Sequence, residues 1–183
     1  MTLSQINNYK LNKQVTTMAT LDSIYNASLP ILQRIPLIFT TRGAIVASFL
    51  TIYFAKFLQV QLSYILLYGY DLENPRSSKI AEKKGVNTWQ VKAVARAKSG
   101  HENQWEAFIG FTAAMMVALR THGSDNDELS KLANAFVIVR IAYLFVYILA
   151  FNVPLAVVRS AVWAVGLGII LRIFSISTGD IYL

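Results

Sequence analysis

The hydrophobic positions of the chain fall into four long segments that are separated by polar linkers. Each segment is close to or above the ~20 residues that a helix needs to cross the hydrocarbon core of a bilayer. The four segments cover about residues 35–70, 94–119, 132–151 and 155–176. This pattern predicts an all-α, polytopic membrane protein that folds as a bundle of four transmembrane helices.

The first segment is longer than one span needs. If Arg42 stays at the interface, the span begins near Gly43. Lys56 then lies inside the membrane, where it either faces the other helices or extends its ammonium group to the interface.

The second segment is one helix with a polar first half, residues 94–108, and an apolar second half, residues 109–119. At 3.6 residues per turn, much of the polar half falls on one stripe. The stripe contains Arg96, Ser99, Asn103, Glu106 and Gly110, with His101 and Glu102 beside it. These groups either face the bundle interior and mark a site, or they lie in a water-exposed first turn near the interface anchors Trp89 and Trp105.

The basic residues are distributed unevenly between the linkers. The linker after the second span offers only Arg120 and Lys131, whereas residues 71–98 hold seven Lys or Arg residues, at positions 76, 79, 83, 84, 92, 96 and 98. By the positive-inside rule the first linker is cytoplasmic. The start of the second span, the end of the third and the start of the fourth then lie toward the cytoplasmic side.

Polar side chains gather at that side of the membrane. They are Arg96, His101, Asn103 and Glu106 of the second span, Arg140, Tyr143 and Tyr147 of the third, and Arg159 and Ser160 of the fourth. Cations, hydroxyls and an amide suit an anionic, peptide-like ligand that carries carboxylates. The same groups would also suit a structural polar network between helices.

The composition excludes several other classes of protein. The chain has 183 residues, of which 55% are hydrophobic, 15% are charged and none is cysteine. Without cysteine there is no disulfide and no catalytic protein thiol, and the two histidines lack the spacing of a metal site. The net charge of +7 fits an anionic membrane surface better than nucleic acid, because the basic residues lie between apolar spans.

Residues 1–36 form a polar extension that is poor in acidic residues, ahead of a membrane domain over residues 37–183. The extension shows no secretory signal. It is either a weakly amphipathic targeting or interfacial segment, or a solvated extension. The membrane is expected to be that of the endoplasmic reticulum or another organelle in a eukaryote, and the inner membrane in a bacterium.

Four short motifs follow one another along the chain. They are Asn74-Pro-Arg76, Arg96-Ala-Lys-Ser-Gly-His-Glu-Asn-Gln-Trp-Glu-Ala-Phe108, Arg140-Ile-Ala-Tyr143 with Tyr147, and Arg159-Ser-Ala-Val-Trp163 with Gly166. Each motif alone is weak, but the ordered set, over about residues 40–176, resembles the MAPEG family, the membrane-associated proteins of eicosanoid and glutathione metabolism.

The resemblance implies a homotrimer of four-helix bundles that holds glutathione between neighbouring protomers near the cytoplasmic face. It assigns glutathione binding to Arg96, His101, Asn103, Glu106, Arg140 and Tyr147. It places Arg159 and Ser160 near the glutathione thiol, where a cation favours the thiolate. The implied reaction is conjugation of glutathione to a lipophilic electrophile from the bilayer, or reduction of a lipid hydroperoxide.

Several positions depart from the family pattern. Tyr143 and Trp163 stand where the family's prostaglandin synthase has histidine and tyrosine, and the usual proline is missing after Phe108. These departures leave a second hypothesis, a non-catalytic scaffold of the same fold or a subunit of a larger membrane complex.

The topology can be tested with single cysteines at Ser78 and Ser124, because the chain has no cysteine of its own. We expect a membrane-impermeant maleimide to label them from opposite sides of sealed vesicles. Labelling of both from the same side would contradict the four-span topology.

Overall fold

A computed structural model gives the fold and describes residues 37–67, 88–124 and 126–179. Residues 1–36 and 68–87 lie outside the described residues, so the extension, most of the basic linker and the domain boundary remain predictions. The described part contains four helices and no strand: α1 Thr41–Leu67, α2 Thr88–His122, α3 Asp127–Leu149 and α4 Val153–Gly179. This confirms the all-α, four-helix membrane bundle.

Three of the described helices, α1, α3 and α4, are long and apolar enough to cross a membrane by themselves. Helix α2 has 35 residues and would extend ~52 Å at 1.5 Å per residue, beyond the ~30 Å hydrocarbon core. Its apolar stretch, residues 109–119, is too short for a complete crossing. A membrane-spanning α2 must therefore include polar residues of its first half, and these must be satisfied by protein.

Helices α2 and α3 form the centre of the bundle. Both α1 and α4 pack against this central pair, and in the described structure they share no extended interface with each other. A hydrogen bond between a side chain of α2 and α3 therefore helps to fix the spacing of these two helices, on which α1 and α4 pack.

Side-chain contacts show that successive helices run in opposite directions. Near the α2–α3 turn, which we call the turn end, the hydroxyl of Thr41 at the start of α1 donates to the carbonyl of Ser124, at 2.9 Å. At the opposite end, Arg96 Nε near the start of α2 donates to the carbonyl of Ile148 at the end of α3, at 3.0 Å. We call this opposite end the site end. It unites the start of α2, the end of α3 and the start of α4, as the sequence predicts.

Local capping signals fix where α3 and α4 begin. Helix α2 ends before Gly123, whose positive φ of 73° is unfavourable for residues with a side chain. Asn126 then caps α3, because its Oδ1 accepts a hydrogen bond from Leu129 N at 2.9 Å. Asn152 Oδ1 accepts from Leu155 N at 3.0 Å, and Pro154 fits the first turn of α4 because its missing N–H needs no partner there. This second cap fixes the direction in which α4 leaves the site end.

The interior between α2 and α3 is filled by aromatic and small residues. Phe111 and Phe136 are fully buried and stack with their ring centroids 4.0 Å apart and their planes 8° from parallel. Next to them, Ala114 and Ala133 have no exposed surface. Small side chains let helix backbones approach closely, which favours association within a membrane.

One buried amide holds the entry of α1 against α3. Asn134 Oδ1 accepts from Ile38 N at 3.0 Å and from Phe39 N at 2.9 Å, while its Nδ2 donates to the carbonyls of Phe39 and Ser130 at 2.8 and 2.9 Å. The backbone groups before α1 have no helical partners of their own. Asn134 supplies partners for them and anchors the start of α1 at the turn end.

Replacing Asn134 with the similarly sized Leu should lower the free energy of unfolding by about 1–3 kcal/mol, because the part-buried hydrogen bonds of the Ile38 and Phe39 N–H groups are lost. Thermal unfolding in mild detergent measures the effect. Thr121→Val is the control, because the exposed Thr121 hydroxyl bonds only carbonyls of its own helix. Equal stability of the Asn134→Leu and Thr121→Val variants would contradict the anchoring role.

Candidate functional site

The site end contains a partly open cavity of about 220 Å³ between α2, α3 and α4. Polar and aromatic side chains from all three helices line it: Asn103 of α2, Tyr143 and Tyr147 of α3, and Arg159, Ser160 and Trp163 of α4. No acidic residue is part of this lining. The cavity is therefore suited to an anionic or electron-rich group.

Helical spacing explains why these residues meet. Tyr143 and Tyr147 are one turn apart on α3, and Arg159 and Trp163 are one turn apart on α4, so each pair presents one face to the cavity. Trp163 is 45% exposed, which places it at the open edge. The Ser160 hydroxyl donates to the carbonyl of Ala156 at 3.1 Å, which leaves its oxygen able to accept a hydrogen bond.

Two arginines and two tyrosines form a continuous series of ring contacts, which we call the Arg–Tyr stack. The guanidinium carbon of Arg140 lies 4.4 Å from the centre of the Tyr143 ring. The rings of Tyr143 and Tyr147 meet edge to face with centroids 5.4 Å apart. The guanidinium carbon of Arg159 then lies 4.8 Å from the centre of the Tyr147 ring. Cation–π contacts of this kind hold a guanidinium in place without neutralising its charge.

The inner end of the Arg–Tyr stack is anchored in the bundle interior. Arg140 is only 2% exposed, and its Nε donates to Gln104 Oε1 at 2.9 Å while one Nη donates to the carbonyl of Asn103 at 2.8 Å. Gln104 Nε2 in turn donates to the carbonyl of Arg140 at 2.9 Å. The buried cation is thus held by neutral oxygen atoms of α2.

The outer end of the Arg–Tyr stack has free donors. Within the described part of the chain, the Arg159 guanidinium contacts the ring of Tyr147 and forms no ion pair and no hydrogen bond. Its guanidinium N–H groups therefore remain available to a bound anion.

Gly100 allows α3 to approach α2 at the level of the cavity. A Cβ atom at Gly100 would lie 3.3 Å from Leu144 Cδ1 and 3.7 Å from Tyr147 Cδ1, and Leu144 is fully buried. A side chain larger than a methyl group at this position would press on the ring of Tyr147. The tightest contact of such a Cβ atom would be with Leu144, so the glycine mainly permits the close approach of Leu144 to α2.

The structure brings four of the predicted site residues together at the cavity: Asn103, Tyr147, Arg159 and Ser160. Tyr143 and Trp163, which the sequence marked as departures from the family pattern, complete its wall.

The other four predicted residues do not line this cavity. Arg96 donates a hydrogen bond to the carbonyl of Ile148 at the end of α3. Arg140 lies against the Tyr143 ring in the bundle interior and does not line the cavity. His101 is half-buried on α2. Glu106 is exposed on the same helix. Their contacts with a ligand remain predictions.

Gln104 is the residue that sequence reasoning missed. The polar stripe predicted for α2 passes through Arg96, Asn103 and Glu106, whereas the buried face of the helix passes through Ala97, Gly100 and Gln104. The signal that could have found it is the row of small residues at positions 93, 97 and 100, because such rows mark close helix contacts in membranes.

The donor set of the described residues contains no group of three or more His, Cys, Asp or Glu side chains that could hold a metal ion. The cavity itself presents a fixed guanidinium with neighbouring hydroxyls, a combination that stabilises negative charge on a bound group.

Comparison with known proteins agrees with the resemblance seen in the sequence. The family model described as "MAPEG family" matches residues 40–178, which is most of the chain and includes all residues of the cavity. No curated protein and no solved structure matches the chain.

Proposed function

Because the chain belongs to the MAPEG family, we propose that it is a membrane-bound glutathione transferase or glutathione-dependent peroxidase. Its second substrate would be a lipophilic electrophile or a lipid hydroperoxide dissolved in the bilayer. The three helices that can span a membrane, together with the family, identify the protein as an integral membrane protein.

One observation carries the proposal: the Arg159 guanidinium is fixed over Tyr147 in a polar cavity and has no anionic partner in the described structure. A thiol has a pKa near ~8.5 in water, and an adjacent cation favours its thiolate form. Arg159 would stabilise the thiolate of bound glutathione, and the exposed Ser160 hydroxyl would reorient to donate a second hydrogen bond to it.

The remaining polar residues would hold the peptide part of glutathione. Arg96 keeps guanidinium nitrogens beyond its single bond to Ile148, and these would bind a carboxylate. Glu106 is exposed and would bind the ammonium group of glutathione, while Asn103 would bind a peptide group. Arg140 is too deeply buried to be reached without movement of Tyr143, so a direct contact with glutathione would require that movement.

Both reactions use the same thiolate. In conjugation the sulfur forms a bond to the electrophilic carbon and the leaving group departs, or a double bond accepts the pair of electrons. In the peroxidase reaction two glutathione molecules are oxidised to the disulfide, while the hydroperoxide is reduced to an alcohol and water. The protein would provide the position of the thiol and the positive charge beside it.

A neighbouring protomer would form the second wall of the site. The cavity of about 220 Å³ is smaller than the ~300–1,000 Å³ of typical ligand pockets, and it is partly open. Of the apolar window of α4, only 11% is buried within one chain, which leaves a large helix face uncovered. We propose a homotrimer in which glutathione lies between adjacent protomers.

Arg159→Ala should lower turnover by ~10²-fold or more, since loss of a few kcal/mol of thiolate stabilisation costs a factor of ten per 1.36 kcal/mol. Glutathione affinity should change much less. Arg159→Lys should restore only part of the rate, because an ammonium group lacks the planar set of guanidinium donors. The measurements are steady-state conjugation of a small aromatic electrophile and thiolate formation by ultraviolet absorbance.

Arg120→Ala is the matched control, because Arg120 is an exposed arginine at the turn end. It should assemble and turn over like the parent protein. Equal thiolate yield from the parent and Arg159→Ala proteins at neutral pH would refute the catalytic role of Arg159. Absence of glutathione binding, with co-purifying partner proteins, would favour the scaffold hypothesis instead.

The assembly is tested by native mass measurement in mild detergent. We expect a trimer that binds glutathione, because each cavity needs a second wall. A monodisperse monomer that still binds glutathione would contradict a site between protomers.

A further inference from the structure

Gln104 follows Asn103 on α2 but points away from the cavity into the bundle interior. It is 2% exposed, and both ends of its amide bind the same residue. Its Oε1 accepts from Arg140 Nε and its Nε2 donates to the carbonyl of Arg140, each at 2.9 Å. Gln104 therefore fixes both the backbone and the side chain of Arg140.

The Arg140 guanidinium has a second attachment on α2. One of its Nη atoms donates to the carbonyl of Asn103 at 2.8 Å. A planar guanidinium bonded through Nε and Nη cannot rotate about its chain without losing one of these bonds. The position of the Arg140 guanidinium is thus set by α2, and its central carbon lies over the Tyr143 ring, 4.4 Å from the ring centre.

The remaining ring contacts of the Arg–Tyr stack connect Arg140 with the cavity. Tyr143 meets Tyr147 at 5.4 Å with their planes 69° apart, and Tyr147 supports Arg159 at 4.8 Å. Gly100 of α2 faces the Tyr147 ring, because a Cβ atom at Gly100 would lie 3.7 Å from Tyr147 Cδ1. A shift of Arg140 would therefore be passed to the ring that carries Arg159.

We propose that Gln104 is a positioning residue, which acts through Arg140, Tyr143 and Tyr147 to place the Arg159 guanidinium and so to set the acidity of the bound thiol. The inference rests on the proposed function. The electrostatic effect of a cation on a thiolate falls with distance, so a small displacement of Arg159 changes the thiol pKa. Gln104 touches no substrate in this scheme, and its effect appears only through Arg159.

A purely structural role would give Gln104 a different set of effects. A buried amide that joins two membrane helices stabilises the bundle, and its loss would lower the unfolding temperature alone. Asn134 is the matched control, because it is a similarly buried amide on α3 that forms four hydrogen bonds at the turn end, away from the cavity. Gln104→Met and Asn134→Leu each remove one amide and keep its approximate volume.

The experiment titrates the thiolate of glutathione bound to the full-length protein in detergent, by ultraviolet absorbance against pH, with affinity from calorimetry. In Gln104→Met the pKa of the bound thiol should rise by about one unit, which lowers the ratio of thiolate to thiol ~10-fold at any given pH. Glutathione affinity should change by less than ~3-fold, since no residue proposed to contact it is removed. In Gln104→Glu the pKa of the bound thiol should rise by at most half as much as in Gln104→Met, because a carboxylate still accepts a hydrogen bond from Arg140 Nε. Asn134→Leu should keep the thiol pKa of the parent protein.

An unchanged thiol pKa in Gln104→Met would overturn the inference, and so would an equal rise in Asn134→Leu. Failure of the parent protein to form any thiolate with saturating glutathione is a separate result, because it would refute the proposed function itself and remove the reaction that Gln104 serves.

Discussion

A guanidinium that is almost wholly removed from solvent joins the two central helices. Arg140 on α3 is bonded to the side chain of Gln104 and to the backbone of Asn103, both on α2. A buried charge that loses a partner is strongly destabilising, since its desolvation is then uncompensated. The distance and rotation between α2 and α3 are therefore narrowly defined, and the outer helices pack on a fixed surface.

The two ends of the bundle differ in whether their charged side chains have ion-pair partners within the described structure. At the turn end, Asn134 bonds the backbone before α1, and Arg172 pairs with Glu128 at 3.1 Å. At the site end, Arg159 and Glu106 have no ion pair in the described structure. Charged groups at membrane depth are costly unless they have partners. The charged groups at the site end can thus be paired by a ligand or by another protomer.

The sequence predicted the helices well because apolar run length and linker charge are local properties. The beginning of α3 was the main exception. Its apolar run starts near Leu132, whereas the helix starts at Asp127, because the Asn126 cap and the acidic first turn add a polar turn that hydropathy does not detect.

The site was only partly predictable. The topology of the spans gives the direction of each helix and the depth of each residue in the membrane. It therefore places four cavity residues at one level: Asn103, Tyr147, Arg159 and Ser160. The role of Arg140 could not be read from its position on α3, since the choice between a ligand and a partner in the interior depends on how α2 is rotated. One residue along a helix is a turn of ~100°, so assigning the buried face to Asn103 rather than to Gln104 changes which group meets Arg140.

The pairing of Gln104 with Arg140 also bears on how the chain enters the membrane during its synthesis. The two residues are 36 positions apart, and the turn between α2 and α3 is short. Helix α2 alone would present an amide to lipid and α3 alone would present a guanidinium, and each would be unfavourable. In a hairpin of the two helices the amide and the guanidinium can bond each other. We therefore expect the α2–α3 pair, rather than the single helix, to be the unit of insertion.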